Sequence, residues 1–150
     1  MKLVRLCLLG ATLGLAAFAA ETKVKPSELP PAVQAAMKDQ TGGASIVGAS
    51  KEREHGRMTY EVETKRNGKG RDLTFAENGS LLEIEEEVDL NSIPAPAKET
   101  IEKKAAGETI RKVESVTHGS ITSYEADVRT KAGRNREIAV NADGSPHPED

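Results

Sequence analysis

The chain has 150 residues, a formal net charge of −3 and a single cysteine. A mildly acidic chain of this size lacks the basic footprint of a nucleic-acid-binding protein, and one cysteine excludes an intramolecular disulfide framework. Aromatic residues make up only 3% of the sequence, so aliphatic side chains must fill most of the core.

The N-terminus has the pattern of a cleavable signal peptide. Lys2 and Arg5 precede an uncharged, mostly apolar run at 6–20, which is shorter than the ~20 apolar residues that span a bilayer. Small residues at Ala17 and Ala19 fit a cleavage site, so we predict a signal peptide at 1–19 with cleavage near Ala19. This predicts a periplasmic or secreted protein without stable membrane insertion after cleavage; a retained membrane anchor is the alternative.

Two stretches of the chain repeat one pattern. When 29–86 is laid over 93–145, prolines, turn glycines and alternating apolar residues recur in the same order. Tyr60-Glu61 corresponds to Tyr124-Glu125, and Asn78-Gly79-Ser80 corresponds to Asp143-Gly144-Ser145. Self-similarity of this kind indicates a duplicated structural unit.

Each copy opens with a predicted helix, because a proline ahead of apolar residues at helical spacing favours a helix N-terminus. After the helix the apolar period changes to two, as at Met58, Tyr60 and Val62. That alternation predicts strands with one buried face. Asn-Gly and Asp-Gly pairs predict the tight turns between the strands.

We therefore predict an α+β fold made of two tandem units, each with one helix and about four antiparallel strands, with the helices on one face of the sheet. Units of roughly 60 residues are marginally stable alone, so we expect the two to share one sheet or to pack tightly. The predicted boundaries are the signal peptide at 1–19, a short linker at 20–28, a first unit at 29–90, a second unit at 91–145 and a disordered tail at 146–150.

Several short stretches also resemble a known family. They are Leu29-Pro30 before a helix, Tyr60-Glu61-Val62 on a strand, and Leu73-Thr74-Phe75 followed by Asn78-Gly79-Ser80-Leu81-Leu82. The pattern is similar to the PepSY-like domain, which is grouped with β-lactamase-inhibitor-like proteins, and it covers nearly the whole predicted mature chain, twice. Membership implies a periplasmic or otherwise exported location, a helix packed on an antiparallel sheet, and a non-catalytic role in binding or inhibiting other proteins.

Basic residues at the predicted hairpin tips are the candidate partner-binding groups. Cations at two equivalent tips could form a positive rim that steers an acidic partner. The competing interpretation is that charged tips keep edge strands soluble. The rim residues are Lys65, Arg66, Lys69 and Arg71 in the first copy, and Arg129, Lys131, Arg134 and Arg136 in the second.

Two histidines at equivalent positions are the candidate metal ligands. His55 and His118 each precede a glycine, and two imidazoles brought together by the repeat could bind a borderline metal. The competing interpretation is a hairpin turn that begins at the same place in both copies. The acidic residues between 83 and 89 also allow calcium in principle, but alternate carboxylates on a strand indicate a solvated face.

Motifs of the common enzyme classes are missing from the sequence, which has no His-Glu zinc helix, nucleophile elbow or glycine-rich phosphate loop. We therefore predict no enzymatic activity and no cofactor. The leading hypothesis is a non-catalytic periplasmic module that binds or inhibits a protein or peptide. The alternatives are a metal-responsive or metal-buffering protein that uses the paired histidines, and an enzyme of unknown class whose acid/base pair only the fold assembles.

Overall fold

The computed structural model describes residues 21–54 and 56–148. The predicted signal peptide at 1–19 and His55 therefore lie outside the described residues. Short 3-10 turns at Pro26–Glu28 and Leu90–Ser92 precede the two helices. The strands and helices follow in the order β1 (Thr22–Lys23), α1 (Pro31–Thr41), β2 (Ser45–Glu54), β3 (Arg57–Arg66), β4 (Lys69–Ala76), β5 (Leu81–Glu87), α2 (Ala95–Ala105), β6 (Thr109–His118), β7 (Ile121–Arg129) and β8 (Asn135–Asn141).

The eight described strands form one antiparallel sheet whose spatial order equals the chain order, from β1 at one edge to β8 at the other. Strand β5 pairs with β6 from Glu83↔His118 to Glu87↔Glu114, and this pairing joins the two sequence repeats. The prediction of two tandem units, each with one helix and about four antiparallel strands, is therefore wrong. The described residues form a single sheet with two helices, and only three strands follow α2.

The physical reason for the single sheet lies in the strand edges. A unit of roughly 60 residues has a small core, and it would leave the outer strand of its sheet unpaired. Pairing of β5 with β6 removes that edge from both repeats. The alternation of apolar residues indicates which face of a strand is buried, but it does not indicate which strand lies next to it.

Each helix packs on its own part of the core. Val33 and Met37 of α1 contact a cluster on strands β2–β4, and Ala97 and Ile101 of α2 contact a second cluster on β6–β8. Within the described residues, neither helix is long and apolar enough to cross a membrane. The strand residues of the two clusters are Ala49, Tyr60, Val62, Leu73 and Phe75, and Val113, Ala126, Val128, Ile138 and Val140.

The strand register places both clusters, and hence both helices, on one face of the sheet. Leu73 pairs with Ile84, and Ile84 pairs with Thr117 across the junction of the repeats. Side chains at alternate positions of a strand share a face, so Thr117 lies on the same face as Val113 of the α2 cluster. Neither of the two described helices covers the opposite face of the sheet.

Two tight turns hold the sheet against the starts of the helices. A Cβ atom on Gly79 would lie 2.7 Å from the carbonyl oxygen of Ala32, and one on Gly144 would lie 2.6 Å from that of Pro96. Both glycines have positive φ, at 84° and 82°. In each turn the preceding Asn or Asp side chain accepts a hydrogen bond from the backbone N–H of the following serine. The backbone therefore approaches the helix closely only because these positions carry no side chain.

The second of these turns contains a carboxyl group with a lowered pKa. The Ser145 hydroxyl donates to Asp143 Oδ1 at 2.6 Å and the Ser145 backbone N–H donates at 2.9 Å. These bonds, the hydroxyl first, hold the pKa of Asp143 below its usual value of 3.8. The folded state thus favours the carboxylate, so its contribution to stability is present above the ordinary pKa and is lost as the pH falls through the lowered value.

We expect Ser145→Ala to raise the pKa of Asp143 toward 3.8, because the largest cause of the lowering is removed. An NMR titration of the Asp143 side chain measures this directly. The matched control is Ser80→Ala in the equivalent turn, where Asn78 replaces the aspartate and which should leave the Asp143 titration unchanged. An identical Asp143 titration in wild type and Ser145→Ala would contradict the assignment.

The segments beyond the predicted units lie along the two edges of the sheet. In the 20–28 segment, Thr22 and Lys23 of β1 pair with Lys51 and Ser50. At the other edge, Pro146 forms a bridge with Val140, and the backbone N–H of His147 donates to the carbonyl of Ala139 at 3.3 Å. The two-residue strand β1 therefore forms one edge of the sheet, and Pro146 and His147 border the other edge strand, β8.

Candidate functional site

The predicted rim residues flank two turns at the same end of the sheet, between β3 and β4 and between β7 and β8. The two turns are separated by four strand spacings, about 19 Å at ~4.8 Å per strand. The structure thus places the two basic clusters at one end of the molecule, each beside the C-terminus of a helix.

Two of the rim arginines hold the helix ends. Arg71 donates from Nη1 to the Gln40 carbonyl of α1 at 2.9 Å and pairs through Nε with Glu86 Oε1 at 2.8 Å. In the same way Arg136 donates from Nη2 to the Lys104 carbonyl of α2 at 2.7 Å. The last carbonyls of a helix lack intrahelical partners and carry partial negative charge, so a guanidinium there stabilises the helix. Arg71 and Arg136 therefore play the same structural role in the two repeats.

The other rim residues divide into bonded and projecting groups. Arg66 donates to the Gly42 carbonyl just beyond α1, Lys69 pairs with Asp89 at 2.9 Å, and Arg129 donates to Asn135 Oδ1 at 2.9 Å. The remaining three are exposed, and none forms an ion pair with another described residue. These three, which we call the projecting cations, are Lys65, Lys131 and Arg134.

His118 ends β6 at the opposite end of the sheet from the rim. Its side chain is exposed, and its Nδ1 lies 3.8 Å from Oε2 of Glu83 on the neighbouring strand. The described ends of β2 and β3, at Glu54 and Arg57, are three to four strand spacings away in the sheet order, about 14–19 Å. His118 therefore lies well apart from the described strand ends that precede and follow position 55 in the sequence.

The face without helices is strongly acidic. The register puts alternate residues of β3–β8 on this face. Of the cationic side chains on these strands that share the face, Lys112 lies among the acidic residues. Arg57, Lys65 and Arg129 lie at strand ends. We call this surface the acidic face. Its acidic residues on these strands are Glu61, Glu63, Asp72, Glu83, Glu85, Glu87, Glu114, Glu125, Asp127 and Glu137.

The centre of the acidic face brings three carboxylates together. Oxygens of Asp72, Glu85 and Glu114 all lie within 4.8 Å of one another. Glu85 and Glu114 are buried although both helices lie on the other face, so neighbouring side chains of the same face cover them. Lys112 Nζ lies 2.8 Å from Glu114 Oε2 and 3.8 Å from Asp127 Oδ2. Carboxylates this close repel one another, and Lys112 offsets part of that repulsion.

Small polar side chains on the same face are also buried. Ser50, Thr59 and Ser123 are each less than a tenth exposed, and Oγ1 of Thr59 is a buried oxygen without a hydrogen-bond partner among the described residues. Sequence reasoning considered the acids of β5 but missed the wider face. The signal was available in the alternate acids Glu61 and Glu63, and Glu125 and Asp127, which share a face once the strands are recognised.

A shallow cavity of about 530 Å³ lies at the end of the sheet where β3 begins and β4 ends. Among the described residues, Glu77 supplies the one carboxylate of its lining, beside Arg53, Gly56, Arg57, Met58, Ala76 and Asn78. General acid–base catalysis commonly needs two positioned groups with different proton affinities. The part of the lining that the structure describes therefore contains no carboxylate pair.

A helix-backed sheet with one open face defines an α+β protein of the two-layer class. A family model described as beta-lactamase-inhibitor-like, PepSY-like matches the chain at residues 19–83 and again at 58–145. The chain belongs to this PepSY-like family, and the resemblance inferred from the sequence is confirmed. A comparison with curated protein sequences found no match.

Solved structures of Bacteroides proteins share the fold. A protein from Bacteroides eggerthii described as periplasmic aligns with a TM-score of 0.66 and 15% identity, over 80% of this chain and 86% of that chain. A DUF2874 family protein from Bacteroides ovatus aligns with 0.63 and 15%, over 80% and 85%. A BLIP-like protein from Bacteroides fragilis aligns with 0.59 and 20%, over 81% and 86%. At these identities the likeness establishes the fold.

Proposed function

We propose that this chain is an exported, periplasmic and non-catalytic module that binds a protein or peptide. The observation that carries the proposal is the open face of the sheet. Both helices pack on the other face, so strands β3–β8 present a broad surface to a partner. The predicted signal peptide, the periplasmic description of the Bacteroides eggerthii protein and the BLIP-like description of the Bacteroides fragilis protein support this role.

The chemistry of the open face indicates how such binding would work. Aromatic side chains anchor many protein interfaces, but Tyr60 and Tyr124 both lie on the helix-covered face. Recognition on the open face would therefore depend on charge and hydrogen bonds. Binding of that kind gains specificity and association rate from electrostatic complementarity.

The rim is the second part of the proposal. Of its eight cations, Arg71 and Arg136 hold helix ends, so the projecting cations Lys65, Lys131 and Arg134 are the groups we assign to steering. A charge reversal at Arg71 or Arg136 would disturb the helices as well as the rim, and a fair test leaves both in place.

We expect the double variant Lys65→Glu, Lys131→Glu to retain less of the proteins that immobilised wild type captures from a periplasmic extract, with association about tenfold slower. The matched control is Lys23→Glu, Lys25→Glu, which makes the same charge change at exposed lysines of the N-terminal edge. Equal retention by rim and control variants would remove the role of the rim. A wild type that retains nothing above blank resin would contradict the proposed function.

The metal-responsive or metal-buffering alternative rests on His55 and His118. The observation in its favour is that His118 Nδ1 lies near Glu83 Oε2. Imidazole and carboxylate groups are both metal ligands in proteins. Calorimetry with copper and with zinc tests it. Equal heats from wild type and the double variant His55→Ala, His118→Ala would exclude these histidines as ligands.

A further inference from the structure

The acidic face concentrates negative charge over an extended area rather than at a point. Its carboxylates run from β3 to β8, which is five strand spacings or about 24 Å. A single calcium ion gathers its oxygens at about 2.3–2.6 Å, so one ion engages only a small part of such a surface. The charge distribution fits a long occupant that crosses several strands.

The face is also built from partly desolvated polar groups. Five of its polar or charged residues are buried, namely Ser50, Thr59, Glu85, Glu114 and Ser123. The Thr59 hydroxyl oxygen has no hydrogen-bond partner among the described residues and lies on the same side of β3 as Glu61. Charge–charge interactions are stronger where water is partly excluded, so a cation on this face would interact more strongly than one on an exposed surface.

We propose that the acidic face binds a lysine- and arginine-rich segment of a partner protein, in extended form. This inference rests on the proposed function and adds the chemistry of its partner: a basic segment of the partner lies on the acidic face, and an acidic part of the same partner faces the projecting cations of the rim. Ammonium and guanidinium groups form charge-assisted hydrogen bonds with carboxylates, and an extended segment of about seven residues spans 24 Å at ~3.3 Å per residue. A second copy of the chain is a poor occupant because its own acidic face carries the same charge.

The test uses a blocked octapeptide of alternating lysine and alanine, with a glutamate–alanine octapeptide as the opposite-charge control, in calorimetry at 50 mM and 300 mM salt. We expect wild type to bind the lysine peptide at least about tenfold more tightly than the glutamate peptide, and more weakly at high salt because charges are screened. Equal affinity for the two peptides would overturn the inference.

Two variants of equal charge change locate the binding surface. The face variant is Glu61→Gln, Glu83→Gln, Glu125→Gln, and the control is Asp39→Asn, Glu99→Gln, Glu102→Gln on exposed helix positions. We expect about tenfold weaker binding of the lysine peptide by the face variant and unchanged binding by the control. Equal weakening by both would reduce the effect to net charge and overturn the inference. Circular dichroism checks that each variant is folded. If the triple variant is unfolded, the single variant Glu83→Gln takes its place.

Two further arms separate the alternatives. Calcium chloride alone is titrated in parallel, and saturable heat with calcium but none with the lysine peptide would overturn the inference. The proteins that wild type retains from a periplasmic extract are then offered to the face variant. Full retention by the face variant would defeat the inference and leave the proposed function standing, whereas no retention by wild type would defeat the proposed function itself.

Discussion

The variants Gly79→Ala and Gly144→Ala are each expected to lower the free energy of unfolding by about 3 kcal/mol or more. A left-handed backbone conformation costs a non-glycine residue about 1–2 kcal/mol, and both glycines have positive φ. The new Cβ would in addition meet a helix carbonyl at 2.6–2.7 Å. Since the contact is with backbone, the turn or the first turn of the helix must move away from the core.

A third glycine separates the cost of the backbone conformation from the cost of the contact with the helix carbonyl. Gly119 also has a positive φ, of 61°, but a Cβ there would have no heavy atom within 4 Å. Gly119→Ala should therefore cost only about 1–2 kcal/mol. Chemical denaturation of the three variants measures the difference. Similar losses at Gly119 and Gly144 would show that the approach of the turn to the helix has no energetic consequence.

The variants Leu73→Ala and Ile101→Ala are expected to lower the free energy of unfolding by about 2–5 kcal/mol each. Both side chains are fully buried, one in the α1 cluster and one in the α2 cluster. Because β5–β6 pairing makes the two repeats one sheet, each substitution should shift a single unfolding transition of the whole chain.

Hydrogen exchange in both repeats, measured beside a denaturant titration, tests this expectation. The control is Ile121→Ala, at a side chain that is 64% exposed, which should change stability by no more than about 0.5 kcal/mol. Two transitions, of which Leu73→Ala shifts one and Ile101→Ala the other, would mean that the repeats unfold separately.

The local parts of the fold followed from the residues. Both helices begin directly after Pro30 and Pro94, and Tyr60 and Val62 are buried as their alternation indicates. These features depend on near neighbours in the chain, where backbone sterics and side-chain periodicity decide the outcome. The PepSY-like resemblance could be found for the same reason, because its motifs are turns and strand faces.

The arrangement of the strands did not follow from the residues. Nothing in the alternation of β5 or β6 specifies that they pair, and β1 is too short to leave a pattern. The functions of the basic residues were equally hidden. In the sequence, Arg71 and Lys65 are both cationic residues beside the same predicted turn. Only the folded position of the α1 C-terminus shows that Arg71 binds one of the last carbonyls of that helix.

The sheet order has a consequence for how the molecule forms. Every strand lies beside the one synthesised before it, and the helices are the longest excursions between paired strands. A chain that becomes available for folding from its N-terminus onward can add each new hairpin to a growing edge without waiting for its C-terminus. Contacts of short sequence separation favour rapid assembly, so the meander suits folding that proceeds strand by strand along the chain.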